Sequence, residues 1–184
     1  MSGTLKPWKV LRSEVALETP WFTIRRDVCE TTENTLVPEY YTWQKRDCVI
    51  VFPITIDQNV LLIKQYRHGL RHIMIDYPGG TIEAGQSILD AAAAELLEEA
   101  GYSAKRFILL GSYAMDSSYS SQRAHFVVAI DCEFAMKITN PNEITDVLTV
   151  PITSINEFAS REIDCLLCAL LTLKATTFMK EKEK

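Results

Sequence analysis

The chain has 184 residues, 47% hydrophobic and 23% charged, with a formal net charge of −5. That length and composition suit one domain with a well-buried core and a small N-terminal extension, and the acidic balance argues against nucleic-acid binding as the main function. No run approaches the roughly 18 consecutive apolar residues of a membrane span, and the opening MSGTLKPWKV lacks the apolar core of a secretory signal.

From residue 8 to about 46, apolar and polar side chains alternate in a segment rich in Thr, Val, Tyr and Trp, broken at Thr19-Pro20 and Glu33-Asn34. This reads as successive antiparallel strands. CVIVFPITI, residues 48–56, is a near-continuous apolar run, as in a strand buried on both faces. Asp57-Gln58-Asn59 predicts a turn, with VLLIKQY returning as the hairpin partner. Asp76-Tyr77-Pro78-Gly79-Gly80 follows an apolar strand as a tight, glycine-rich turn. Residues 87–100 predict a helix, with Ser87 as N-cap, Asp90 three residues later and an alanine-rich interior. Strands follow near 106–115 and 123–131, separated by the polar loop Asp116-Ser117-Ser118-Tyr119-Ser120-Ser121-Gln122. TDVLTVPI predicts a further strand, residues 154–159 a short helix, residues 163–179 a longer one, and KEKEK a charged tail. Mixed strands with helices at two places imply an α/β sandwich.

The five cysteines form no framework. Cys165 and Cys168 make a C-x2-C inside an apolar run without a second ligand pair, and read as buried thiols in preference to a zinc site. Reduced cysteines fit a cytoplasmic protein.

The most informative stretch is GTIEAGQSILDAAAAELLEEAGY, residues 80–102. It ends in Glu95, Glu98 and Glu99 at helical spacing, just before Gly101. Residues three and four apart share one helix face, so the three carboxylates repel one another. No Lys or Arg in the helix compensates; a divalent cation would. Glutamates on a surface helix are often simply solvated, but a strand, a glycine turn and an acidic helix in succession suit a metal and a phosphate. Phosphoanhydride cleavage needs charge neutralisation, an activated water and in-line geometry, which Mg2+ or Mn2+ on hard oxygen ligands provides.

These residues resemble the Nudix hydrolase box, G-x5-E-x7-R-E-U-x-E-E-x-G-U with U apolar. Gly80, Glu95, Leu96, Glu98, Glu99 and Gly101 match, and Tyr102 stands at the last U. Gln86 and Ala94 depart from the box Glu and Arg. In the family those two side chains interact and the arginine orients the catalytic glutamates, so their joint loss avoids one unpaired charge and leaves a less preorganised site. VLLIKQYRHGL, TDVLTVPITSINEF with the apolar helix after it, and ETPWFTIRRDV with YYTWQKRDCVIVFPI look like the ADP-ribose pyrophosphatase branch.

The resemblance implies a Nudix-type α/β/α sandwich with a mixed sheet over residues 47–184, and antiparallel strands over residues 1–46 that serve dimerisation and the substrate pocket. It implies metal ligation by Glu95, Glu98, Glu99 and the Gly79 carbonyl, with Glu98 and Glu99 catalytic. It places base-stacking aromatic residues at Trp21 and Tyr41, with Trp43 the substitute if the register shifts by two, and phosphate or ribose contacts at Arg46 and Arg67. Each has a plainer reading: Trp21 and Tyr41 as core or interface, Arg46 as the partner of Asp47. His68 and His72 read as surface residues. Related enzymes carry a glutamate base in the loop after the box; here Gln122 cannot take a proton and Asp116 can, unless it is simply a turn residue. The loop also lacks the branch's proline near Ser117–Ser118.

The expected activity is metal-dependent hydrolysis of a nucleoside diphosphate linked to another moiety, ADP-ribose to AMP and ribose 5-phosphate first, then sugar nucleotides. The expected assembly is a homodimer through the N-terminal strands. The alternative is a catalytically impaired Nudix-fold nucleotide-binding protein, which Gln86, Ala94 and Gln122 favour and the three helix glutamates oppose.

Overall fold

The computed structural model describes residues 6–138 and 144–182; the first five residues and the last two of the charged tail lie outside them. The chain divides into two compact units. One comprises the chain up to Arg46 together with Ala114–Arg123, and the other comprises Asp47–Tyr113 and the chain from Ala124 onward.

The first unit carries a three-stranded antiparallel sheet, β1 (Lys9–Glu18), β2 (Thr23–Glu30) and β3 (Leu36–Gln44), in the order β1-β2-β3. Its hairpins fall at the two predicted breaks. Thr19 Oγ1 accepts the Phe22 N–H, and Asn34 turns at φ 57°, a conformation Asn tolerates. Residues 114–123 join this unit through main-chain bonding of Trp43 N–H to the Tyr119 carbonyl at 2.9 Å.

The second unit is a sheet of seven strands. β4 (Cys48–Thr55), β5 (Asn59–Arg67), β6 (His72–Asp76), β7 (Gly79–Thr81), β8 (Tyr102–Ala114), β9 (Arg123–Phe134) and β10 (Ile144–Pro151) run β10-β5-β4-β9-β8, with β6 on β5 and β7 on β4. β4 and β9 are parallel, while β4–β5, β4–β7, β5–β6 and β5–β10 are antiparallel. The sheet is therefore mixed.

The two-residue period of the strands divides their apolar side chains between two cores. Phe52, Ile54, Val60, Leu62, Phe126 and Val128 face α2 (Ile155–Glu162) and α3 (Leu166–Lys182). Val49, Val51, Leu61, Ile63, Val127 and Ala129 face α1 (Ile88–Glu95) and its continuation. The result is the expected α/β/α sandwich: apolar runs in the central strands are what a sheet covered on both faces requires.

Four predicted elements differ in detail. The strands expected at 106–115 and 123–131 are longer, Tyr102–Ala114 and Arg123–Phe134. The long helix spans Leu166–Lys182, so Cys165 precedes it instead of lying inside it. The glycine turn is partly strand, because Gly79–Thr81 pairs with Cys48–Ile50. A Cβ on Gly79 would lie 2.4 Å from the Val49 carbonyl oxygen, so only glycine lets β7 approach β4 this closely.

Candidate active site

The acidic helix starts as the sequence predicts. Ser87 is the N-cap, and its hydroxyl accepts the Asp90 N–H at 3.1 Å and contacts the Asp90 carboxylate at 2.7 Å. The last turn departs from a regular α-helix. Leu96–Ala100 is π-helical, with the Gly101 N–H aimed at both the Leu96 and Leu97 carbonyls, a wide turn that recurs at functional sites. Gly101 then closes it in the left-handed conformation, φ 76°. Leu96 and Ala100 are buried under the sheet, and Glu98 points to solvent.

This packing carries Glu95 and Glu99 against the glycine segment. Glu99 Oε2 accepts the Gly79 N–H at 2.7 Å. The Glu95 carboxylate lies over Gly80, where a Cβ would stand 2.2 Å from Glu95 Oε1. The box glycine is thus the residue whose missing side chain makes room for a helix carboxylate. Gly79, Glu95 and Glu99 are brought together, and Glu98 is the more exposed of the three glutamates.

The donor set is all oxygen, as Mg2+ or Mn2+ prefers. It is not closed into a ligand cage: among the described residues, the group of three potential ligand atoms within 4.8 Å of one another is Asp76, Cys165 and Cys168. One glutamate bonded to backbone, a second lying over Gly80 and a third turned outward is an arrangement that limits like-charge repulsion.

The box departures have local structural roles. Gln86 Oε1 accepts the Glu83 N–H at 3.0 Å, while its own N–H reaches the Glu83 carbonyl at 3.0 Å, closing the turn before α1. Gln122 is buried, and its amide donates to the Arg46 carbonyl at 2.7 Å.

Arg67 is held by a partner the sequence reading did not assign. Its Nε and a terminal nitrogen lie 2.9 and 2.8 Å from Asp76 Oδ2, which also accepts from Gln65 Nε2 at 3.0 Å. Asp76 is buried, while the Arg67 side chain stays 47% exposed, so one edge of the guanidinium remains open to solvent. A buried Asp at the end of a strand was the available signal, since a charge there needs a partner.

Trp21, Tyr41, Trp43 and Asp116 belong to the other unit, whereas Asp47 lies in the unit of the glutamates. Trp21 sits in the β1–β2 turn, not in a strand as expected, and is 77% exposed. Tyr41 and Trp43 lie two apart on β3, both exposed on one face. Tyr41 contacts Arg26, whose guanidinium is held above its ordinary range first by Glu14 and then by the Tyr41 hydroxyl. Asp47 bonds His125 Nε2 at 3.3 Å, and His125 Nδ1 meets Ser112 Oγ at 2.6 Å; that chain was not foreseen. Asp116 Oδ1 accepts the Ser118 N–H at 3.3 Å, and its carbonyl accepts from Ser120, so Asp116 organises its own turn.

Among the described residues, no helix is long and apolar enough to cross a membrane.

Comparison with known proteins agrees with this geometry. The NUDIX domain model matches residues 44–166, and a model of the nucleoside diphosphate sugar hydrolase N-terminal domain matches residues 8–43. The chain is 30% identical to the ADP compounds hydrolase NudE of Escherichia coli (strain K12) over 132 residues, 71% of this chain and 70% of that protein. It is 27% identical to the ADP-ribose pyrophosphatase of Bacillus subtilis (strain 168) over 44% of each chain. A solved structure, an ADP compounds hydrolase, superposes with a TM-score of 0.87 at 22% identity over 98% of each chain, a likeness of fold. The two-sided sheet, the acidic helix against the box glycine and the span of these matches lead to one conclusion: the chain belongs to the Nudix hydrolase family, close to its ADP-ribose pyrophosphatase and ADP-compound hydrolase members.

Proposed function

We propose that the protein hydrolyses the pyrophosphate of a nucleoside diphosphate linked to another moiety. ADP-ribose, cleaved to AMP and ribose 5-phosphate, is the first substrate and sugar nucleotides the second. The observation that carries this reading is the seating of the Glu95 and Glu99 carboxylates on the Gly79–Gly80 backbone. The relatives named for ADP compounds and ADP-ribose support the substrate class.

In this reading Glu95, Glu98, Glu99 and the Gly79 carbonyl hold Mg2+ or Mn2+, which when bound neutralises phosphate charge and lowers the pKa of water. Glu99 also fixes the glycine segment through the Gly79 N–H. Arg46 and Arg67 meet phosphate or ribose, for which a planar guanidinium is suited. Trp21 and Tyr41 stack on the base, worth about 1–3 kcal/mol per base in comparable contacts. Asp116 is the candidate to take the proton of the attacking water. The protein acts in the cytoplasm as a homodimer joined through β1–β3, where Val10, Val15, Leu17 and Leu36 are exposed.

Hydrolysis of a panel tests it: ADP-ribose, NADH, GDP-mannose, UDP-glucose, diadenosine polyphosphates and nucleoside triphosphates, each with Mg2+, with Mn2+ and with chelator. Metal-dependent turnover of one substrate names the class. The rival, a nucleotide binder with impaired chemistry, is favoured by the buried amide of Gln122 and the open arrangement of the glutamates. It expects no turnover with ligand-induced thermal stabilisation intact, and ligand binding without metal that the E98Q/E99Q double variant leaves almost unchanged.

A further inference from the structure

Asp76, Cys165 and Cys168 sit apart from the glycine segment's glutamates, and the proposed hydrolysis uses neither cysteine. Cys165 Sγ, Cys168 Sγ and an Asp76 carboxylate oxygen all lie within 4.8 Å of one another. Cys168 is 3% exposed, and its thiol donates to Asp76 Oδ1 at 3.5 Å. Cys165 is only half-buried. It lines an open cavity of about 420 Å³ with Arg67, His68, Leu70, Met74 and Asp164.

The backbone sets the two sulfurs apart chemically. The Cys165 carbonyl accepts the Ala169 N–H at 2.9 Å, the first bond of α3, so Cys165 is the residue at the N-terminus of a 17-residue helix. Free N–H groups and the helix dipole at that end favour a thiolate. Three residues on, Cys168 is inside the helix and under the sheet. The outer sulfur faces solvent and the inner one faces a buried carboxylate, an asymmetry that suits a nucleophile and a resolving thiol.

We propose that Cys165 and Cys168 form a redox-active dithiol that exchanges with a low-molecular-weight disulfide entering at the Cys165 cavity. Cys165 is the attacking sulfur and Asp76 the proton acceptor for Cys168. The Cys165 thiolate attacks one sulfur of the small disulfide; its S–S bond breaks, a mixed disulfide forms at Cys165, and one small thiolate leaves to be protonated by solvent. Cys168 then hands its proton to Asp76 Oδ1, from which solvent removes it, and attacks Cys165 Sγ. The Cys165–Cys168 bond forms and the second small thiolate leaves. Two electrons pass from the protein dithiol to the small disulfide, which is reduced to two thiols. Arg67 and His68 on the cavity wall are matched there by Asp76 and Asp164, so the wall sets no charge preference and oxidised glutathione serves as the small disulfide probe.

A thiolate-prone Cys165 agrees with this geometry: its pKa is lowered to about 6, chiefly by the neighbouring Cys168 side chain and then by main-chain N–H groups, while burial opposes the shift. Cys168 is raised by its closeness to Cys165 and by burial. The groups facing Cys165 are Asp164 beside it, Arg67 and His68 at the end of β5, and Asp76 on β6. A zinc site fits less well, because structural zinc takes four protein ligands and the group gathered here among the described residues has three, Asp76, Cys165 and Cys168.

The experiment takes the full-length protein, reduced and treated with chelator, into glutathione buffers of rising oxidised fraction, followed by alkylation and peptide mapping. The thiol count is expected to fall by two from five, with Cys165 and Cys168 recovered in one disulfide. C168S, which keeps a donor to Asp76, is expected to stop at one glutathione on Cys165, and C165S to take none at Cys168. Alkylation of Cys165 should reach half its maximal rate near pH 6, and C168A should move that midpoint upward. Persistence of both thiols in excess oxidised glutathione overturns the proposal. So does glutathione on C168S at a cysteine other than Cys165, or stoichiometric zinc that masks both thiols before any oxidant is added.

Discussion

At the scale of single residues, Gly79, Gly80 and Glu99 separate stability from chemistry. A Cβ on Gly79 meets backbone, the Val49 carbonyl oxygen at 2.4 Å, which cannot swing aside. G79A should therefore destabilise by about 1–3 kcal/mol, the usual cost of overpacking, measured by urea unfolding. A Cβ on Gly80 meets the far end of the Glu95 side chain at 2.2 Å, which can rotate away. G80A should leave the unfolding midpoint nearly unchanged while lowering metal-dependent turnover, because Glu95 is displaced. E99Q keeps an oxygen to accept the Gly79 N–H but loses the charge. Its turnover should fall on the order of 10²-fold or more, as when one electrostatic group is removed from an active site, with little change in melting temperature. Equal loss of stability in E99Q and E99A would instead make Glu99 a structural clamp. The residue types of this site were legible from the box, because glycine and carboxylate at fixed spacing have few other uses together. The Gln86 turn and the buried Gln122 amide were not legible: a glutamine carries no charge whose compensation could be looked for.

At the scale of elements, the π-helical turn and the β5–β6 hairpin each position a charged group. Leu96 is fully buried at the start of the wide turn. L96A should cost about 2–5 kcal/mol and should also weaken metal dependence, because Glu95, Glu98 and Glu99 flank it. R67A removes the cation beside buried Asp76. Half the arginine side chain is exposed, so the pair is partly screened, and the Gln65 and Cys168 bonds to Asp76 remain. A loss of about 1–3 kcal/mol is expected. If Arg67 also meets substrate phosphate, KM rises with kcat little changed; a change in stability with KM unaltered makes it a structural pair only. The order and type of the helices and strands, and the Ser87 start of α1, followed from capping and periodicity because those signals are local, while the ends of β8, β9 and α3 did not. The pairing of β7 with β4 and the widening of the last helical turn depend on what each segment packs against.

At the scale of the whole molecule, the exposed apolar residues of β1–β3 and the buried thiol of Cys132 give separate predictions. A homodimer through β1–β3 should sediment at twice the chain mass, and charged replacements at Val10 and Val15 should return it to the monomer. A wild-type monomer would remove the dimer from the reading without touching the catalytic assignment. Burial pushes the Cys132 thiol up to about 12 from an ordinary 9.0, and also raises Tyr77. Above pH 9 the unfolded chain releases the Cys132 proton while the folded chain keeps it. Stability is therefore full below that pH and declines as pH rises towards 12, by at most about 1.4 kcal/mol per pH unit for this group. C132A should unfold at a less pH-dependent midpoint in that window.

The sequence by itself determined the family, the two-sided sheet and the identity of the acidic helix, because apolar periodicity and a charged motif at helical spacing act through neighbours along the chain. It also marked the N-terminal strands, through alternation and two turn signals. Only the tertiary structure decided that Glu99 clamps Gly79, that Glu95 fills the space a Gly80 side chain would take, that Arg67 answers to Asp76, and that Cys165 stands at a helix end with Cys168 buried behind it. Each of these joins segments distant in sequence, and which partner a buried charge or thiol finds is set by the packing of strands and helices around it.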